Sequence, residues 1–129
     1  MAHIDWTVRN KPYDLRERLF EFACLIVRLV QFLHTQGRVA RALSYQLLDC
    51  GTSAGANYEE ADDGSSPRDE LAKKKIVLRE LKETQFRLRI LRRCGFLDAS
   101  HDPVIGETRE LVKILATIVR KSSARCSRA

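Results

Sequence analysis

Residues 43–97 read LSYQLLDCGTSAGANYEEADDGSSPRDELAKKKIVLRELKETQFRLRILRRCGFL. The pattern is two helices joined by a short polar turn, and it decides the fold. The first helix is rich in small residues: Gly51, Ser53, Ala54, Gly55 and Ala56 lie inside an apolar-periodic run. A glycine in a helix interior costs about 1 kcal/mol relative to alanine, so two of them call for an offsetting gain. Gly51 and Gly55 share one helical face, where a missing side chain lets a neighbouring helix come close. The same spacing serves membrane helices, but this run is too short and polar to span a bilayer. Gly51-Thr52-Ser53-Ala54-Gly55 also fits the G-x-S-x-G nucleophile elbow. That motif needs a strand in front of it; residues 41–49 read as helix, so a small-residue helix contact is the better reading.

The turn is Ala61-Asp62-Asp63-Gly64-Ser65-Ser66-Pro67. Gly64 is expected to supply a left-handed backbone. Ser66 is placed as N-cap, with Pro67 at the first helical position and Asp69 closing a capping box. A calcium loop is excluded by Pro67 and by the wrong ligand spacing. From Pro67 to Arg93, Leu71, Leu78, Leu81, Leu88 and Leu91 form one stripe. Asp69 and Glu70 at its start and Arg92 and Arg93 at its end suit the helix dipole, and Gly95 is the expected stop.

These residues carry a family resemblance. Gln46-Leu47-Leu48, Gly51-Thr52-Ser53, Gly55-Ala56-Asn57, Glu60-Ala61, Ser66, Glu80, Glu83-Thr84 and Leu88 resemble the bacterial four-helix bundle family whose founding members are encoded in ribosomal-RNA intervening sequences. The chain departs from that pattern at Ala54, where a large aliphatic is common, and at Phe86-Arg87, near which an aromatic pair is common. The resemblance implies an all-α, antiparallel up-down-up-down bundle assembled as a homo-oligomeric ring, a ring of five. A more distant resemblance is to the accessory proteins of diversity-generating retroelements, basic bundles that work with a reverse transcriptase and RNA.

The flanking segments fit. A chain of 129 residues suits one domain. Residues 1–13 read as an N-terminal arm in which Trp6 covers a bundle end or a neighbouring subunit. Residues 14–121 read as the bundle and 122–129 as a frayed basic tail. Helix 1 is expected over residues 14–36, capped by Asp14 and stopped by Gly37. Leu15, Leu19, Phe22, Ile26, Leu29 and Leu33 make its core stripe. A second stripe, Phe20, Ala23, Val27 and Val30, implies burial on another side, most simply against a second copy. Helix 2, over residues 38–62, carries Leu43, Leu47, Cys50, Ala54, Asn57 and Ala61. Asn57 needs partners if buried; Glu60, Glu80 and Glu83 are the nearest, and the four are expected to form a structural polar network. Helix 4 begins at Asp102-Pro103 with aspartate as cap, and its stripe is Val104, Thr108, Leu111, Leu115 and Ile118. The start of the chain lacks the pattern of a signal peptide, and the longest apolar run is broken by Arg28, so no membrane span is expected.

The net charge of +6 is unevenly placed: residues 1–66 carry −2 and residues 67–129 carry +8. Helix 3 contributes Lys73, Lys74, Lys75, Arg79, Lys82, Arg87, Arg89, Arg92 and Arg93, and the end of the chain adds Arg120, Lys121 and Arg125. Lys75, Arg79, Lys82 and Arg89 fall on one ridge. Such a ridge attracts phosphate backbones with salt-dependent affinity, although charge runs are usually solvated faces. Exposed aromatics look scarce, since most of the nine lie on apolar stripes, so binding would rest on backbone and shape.

Catalytic chemistry finds little support. Cys24, Cys50, Cys94 and Cys126 have no C-x-x-C spacing, so no zinc site or disulfide framework follows; they read as reduced thiols, Cys24 and Cys50 buried. His3, His34 and His101 are scattered, and the Glu-x-x-His pairs of a di-iron bundle are missing. The expectation is a non-enzymatic, cytoplasmic, cofactor-free homo-oligomer that binds nucleic acid, structured RNA over DNA. The alternative is a protein-interaction scaffold or reverse-transcriptase accessory factor with an acidic protein or protein–RNA partner. A distant third is a metal-dependent hydrolase using Glu59, Glu60, Glu80 and Glu83.

Overall fold

Asp14 starts the first helix. Its side chain accepts the Arg16 N–H at 3.0 Å, and the apolar residues that follow form α1, Leu15–His34. The helix ends two residues earlier than the glycine stop implies, with Thr35 as its C-cap, whose hydroxyl donates to the Phe32 carbonyl at 2.6 Å. Gly37, at φ 103°, then reverses the chain into α2, Arg38–Asp62. Ser66 accepts the Asp69 N–H at 3.1 Å and opens α3, Pro67–Arg93. Gly95, at φ 85°, follows its end, and α4 runs from Asp102 to Arg128. The computed structural model describes residues 5–8, 11, 14–64 and 66–128; the expectations for His3, Ile4 and the end of the arm lie outside them.

The four helices form an antiparallel up-down-up-down bundle in which α1 packs on α2, α2 on α3 and α3 on α4. The small-residue face of α2 makes the first of these contacts. A Cβ placed on Gly51 would stand 2.8 Å from Cγ2 of Ile26, and one on Gly55 would touch Leu19 at 3.5 Å. The core draws Leu19, Phe22, Ile26, Leu29 and Leu33 from α1, Leu47 and Ala54 from α2, and Leu111 and Leu115 from α4. The α3 stripe is shifted from the leucine pattern. Val77, Leu81, Thr84, Leu88 and Leu91 point inward, while Leu71 and Leu78 are half-buried. Thr84 can complete this stripe because its hydroxyl donates to the Glu80 carbonyl at 2.8 Å, which removes the penalty of burying it.

Side chains close the bundle between α1 and α4. Arg18 reaches Glu107 through two bonds, Nε to Oε2 at 3.0 Å and Nη2 to Oε1 at 2.6 Å. Glu107 is only 3% exposed, and the fork-to-fork geometry satisfies both of its oxygens. Trp6 docks on its own bundle end: it is buried, with its ring 6.2 Å from Phe32 and 5.3 Å from His101. Lys11 pairs with Glu110 on α4.

Several local expectations are corrected. Gly64 is not left-handed, since the positive-φ glycines are Gly37 and Gly95; it is small because a Cβ there would meet Cγ of Glu70 at 2.7 Å. Asp102 does not cap α4. Asp98 caps a 3₁₀ turn, Ala99–His101, that runs straight into the helix, and His101 Nδ1 accepts the Asp98 N–H at 3.0 Å. The segment read as frayed continues α4 as far as Arg128, with Ser122 buried; Arg125 and Arg128 in the last turn complement the dipole. Cys50 is buried but Cys24 is only half-buried.

Candidate nucleic-acid interface

Because α3 turns Val77, Leu81, Thr84, Leu88 and Leu91 inward, its opposite face is set. Lys75, Arg79, Lys82, Arg89 and Arg93 are all exposed on it, at steps of four, three, seven and four residues, and so form one line along the rod. The other expected cations stand elsewhere. Lys73 pairs with Asp69 at 3.2 Å, Arg87 with Glu83 at 2.9 Å, and Arg92 with Asp102 at 2.9 Å. The hydrogen bond that Arg92 donates to Asp102 holds its guanidinium above its ordinary pKa. Lys74 lines a second basic groove with Lys121, Arg125 and Arg128, and Arg120 is exposed nearby on α4.

Phe86 is the residue that sequence reasoning missed. It is 57% exposed and lies four residues after Lys82 and three before Arg89, inside the cationic line. The ridge spacing itself places it there. A groove of about 620 Å³ adjoins the same end of α3, lined by Arg89, Arg92, Arg93, Asp102, Ile105, Gly106 and Arg109. Arg109 lies on α4 and was not among the expected contacts.

The polar residues of the α2–α3 seam act as separate contacts instead of the expected four-membered network. Asn57 donates to the carbonyl of Ser53 on its own helix at 2.9 Å. Ser53, not Asn57, crosses to Glu80, at 3.2 Å. Glu83 engages Arg87, and Glu60 is exposed. Ser53 lies within α2, so the glycine–serine motif is a helix contact and lacks the strand of a nucleophile elbow. Among the described residues no group of three or more His, Cys, Asp or Glu side chains is placed to hold a metal ion, which counts against the hydrolase reading of Glu59, Glu60, Glu80 and Glu83. Burial pushes the Cys50 thiol up, away from nucleophilic use. Among the described residues no helix is long and apolar enough to cross a membrane.

The sequence pattern of the 23S rRNA-intervening sequence proteins matches residues 11–117. Among solved structures, the chain is similar to a protein of unknown function from the S23 ribosomal protein family of Bacteroides thetaiotaomicron. The two are 32% identical, with a TM-score of 0.74, over 81% of this chain and 97% of the other. A search of curated proteins finds no match.

Proposed function

The chain belongs to the 23S rRNA-intervening sequence protein family, and we propose that it is a non-enzymatic, cytoplasmic, homo-oligomeric protein that binds structured RNA through phosphate contacts along α3. The observation that carries this reading is the line Lys75, Arg79, Lys82, Arg89 and Arg93, exposed on one face of a rigid helix. Carboxylates neutralise Lys73, Arg87 and Arg92 but leave this line open to a polyanion. RNA is favoured over DNA by the family's association with ribosomal RNA.

The homo-oligomer is supported by the outer part of the second stripe of α1, Val30 being buried in the chain's own core instead. Phe20 is 54% and Val27 39% exposed, and Phe20 and Ala23 border a shallow groove over Thr52, Gly55 and Ala56. A second copy seated there would bury this face, with the ring of five that the resemblance implies as the expected assembly. Repetition of the ridge around a ring multiplies the positive field. A scaffold that meets an acidic protein is the second reading, favoured by the exposed Phe86 within the ridge.

The test reverses three exposed charges together, Lys75→Glu, Arg79→Glu and Lys82→Glu. The variant should keep its helical circular dichroism and its oligomeric mass while losing RNA binding by at least tenfold. Unchanged affinity would overturn the proposal, and retained capture of a specific protein partner with no RNA binding by the native chain would move it to the scaffold reading.

A further inference from the structure

Gly106 has no packing reason to be glycine. It lies inside α4, where glycine is less favourable than alanine, and a Cβ placed on it would meet nothing within 4 Å. Gly51, by contrast, is required by its contact with Ile26. What Gly106 faces is the groove between the end of α3 and the start of α4, where Arg89, Arg93 and Arg109 converge. The groove's carboxylate, Asp102, is taken by Arg92 at 2.9 Å, and no ion pair engages Arg89, Arg93 or Arg109 among the described residues. Three uncompensated guanidiniums around an open floor are suited to phosphate oxygens. One turn before Arg89, Phe86 presents an aromatic ring to solvent on the same face.

We propose that this groove seats a phosphate of an unpaired stretch of RNA, with an adjacent base stacked on Phe86. The inference rests on the RNA-binding reading above and narrows its ligand to single-stranded nucleotides flanking a structured element. A blunt A-form duplex keeps its bases stacked inside the helix and offers Phe86 no face, whereas an unpaired nucleotide offers both a base face and a flexible backbone. Stacking on Phe86 selects no particular base, so the preference is for unpaired over paired RNA and not for a sequence. Gly106 keeps the floor of the groove low enough for the backbone to enter.

The experiment compares a blunt RNA hairpin with the same hairpin carrying a short single-stranded extension, by fluorescence anisotropy at low salt. The native chain should bind the extended hairpin more tightly. Phe86→Ala should weaken the extended hairpin by roughly fivefold to 150-fold, the range a base–aromatic stack carries, and leave the blunt one unchanged. Gly106→Leu fills the groove with a good helix former, so it should keep or raise the melting temperature yet weaken the extended hairpin. Arg109→Gln, off the α3 ridge, should lower the salt slope for the extended hairpin by about 0.7, the single-strand increment for one phosphate contact. Equal binding of the two hairpins, with Phe86→Ala and Gly106→Leu silent, would overturn the seat even if reversal of Lys75, Arg79 and Lys82 still abolished binding. Failure of the native chain to bind either hairpin would overturn the underlying RNA reading and the seat with it. Displacement of both hairpins by an acidic peptide, with no preference between them, would assign the groove to a protein partner and also overturn it.

Discussion

Gly51→Ala is a one-carbon change whose sign the structure determines. In an open helix the substitution would stabilise by up to about 1 kcal/mol. Here the new Cβ would stand 2.8 Å from Cγ2, 3.0 Å from Cγ1 and 3.2 Å from Cβ of Ile26. Ile26 is fully buried, and a β-branched side chain in a helix has essentially one χ1 rotamer, so it cannot swing aside. Relief must come from separating α1 and α2, which also disturbs Leu19 against Gly55. Overpacking of this kind costs about 1–3 kcal/mol; set against a propensity gain of up to about 1 kcal/mol, the net loss is centred on about 1 kcal/mol and reaches about 2. For a chain of this size that is a fall of about 4–7 °C in melting temperature, read by circular dichroism at the helical band. Gly106→Ala, with open space at its Cβ, is the internal control and should raise the melting temperature by about 3–4 °C. In an Ile26→Ala background the clash with both Cγ atoms disappears, so Gly51→Ala should cost much less there. A Gly51→Ala protein as stable as the native one, or a cost unchanged by Ile26→Ala, would refute the close-approach argument.

Glu107→Ala leaves the Arg18 guanidinium, 13% exposed, with only Glu110 at 3.5 Å as a partner and should cost about 1.5–3 kcal/mol in urea unfolding; replacing both residues by apolar ones should cost less than Glu107→Ala alone. Burial holds the Cys50 thiol above its ordinary pKa of 9.0. Its neutral form therefore contributes stability in full below pH 9.0, a contribution lost as pH rises through the higher folded value, and Cys50→Ala should flatten that alkaline loss in pH-dependent unfolding. A disulfide reagent at mildly alkaline pH should label exposed Cys94 at once and Cys50 only at the rate of opening. Phe20→Glu, at an exposed site of α1, should lower the sedimentation mass toward that of one chain without loss of helix; an unchanged mass would place the interface elsewhere.

Much of the bundle was legible because helix ends carry local chemistry. The Ser66-Pro67 start and the Gly37 and Gly95 turns act through neighbours a few residues away, and the α2 and α3 boundaries follow from them. Close approach at Gly51 was legible for a similar reason: a small residue that lowers helix propensity has to be explained by a neighbour. Part of what was not legible depended on distant partners, and part on which of two local readings wins. Glu107 reads as a surface acid until Arg18, 89 residues earlier, is placed beside it. Asn57 falls on an apolar face by periodicity, yet its amide turns back to Ser53 and leaves Glu80 to the serine hydroxyl. Phe86 falls outside the leucine stripe, and the spacing of Lys82 and Arg89 puts it on the exposed face, but the rule that most aromatics lie on apolar stripes hides it. The continuation of α4 to Arg128 was hidden because a run of cations at a chain end reads as tail, whereas at a helix C-terminus the same charges favour the helix.

The central claim is that the exposed face of α3 is a phosphate-binding surface. The most direct measurement is a fluorescence-anisotropy titration of structured RNA with the purified protein across a series of salt concentrations. Contact through Lys75, Arg79, Lys82, Arg89 and Arg93 predicts tight binding at low salt. It also predicts a log–log salt slope of about −4 per chain, at roughly 0.7–0.9 per phosphate contact. No binding even at the lowest salt, or an affinity indifferent to salt, would contradict the account and leave the ridge as a solvated or protein-facing surface.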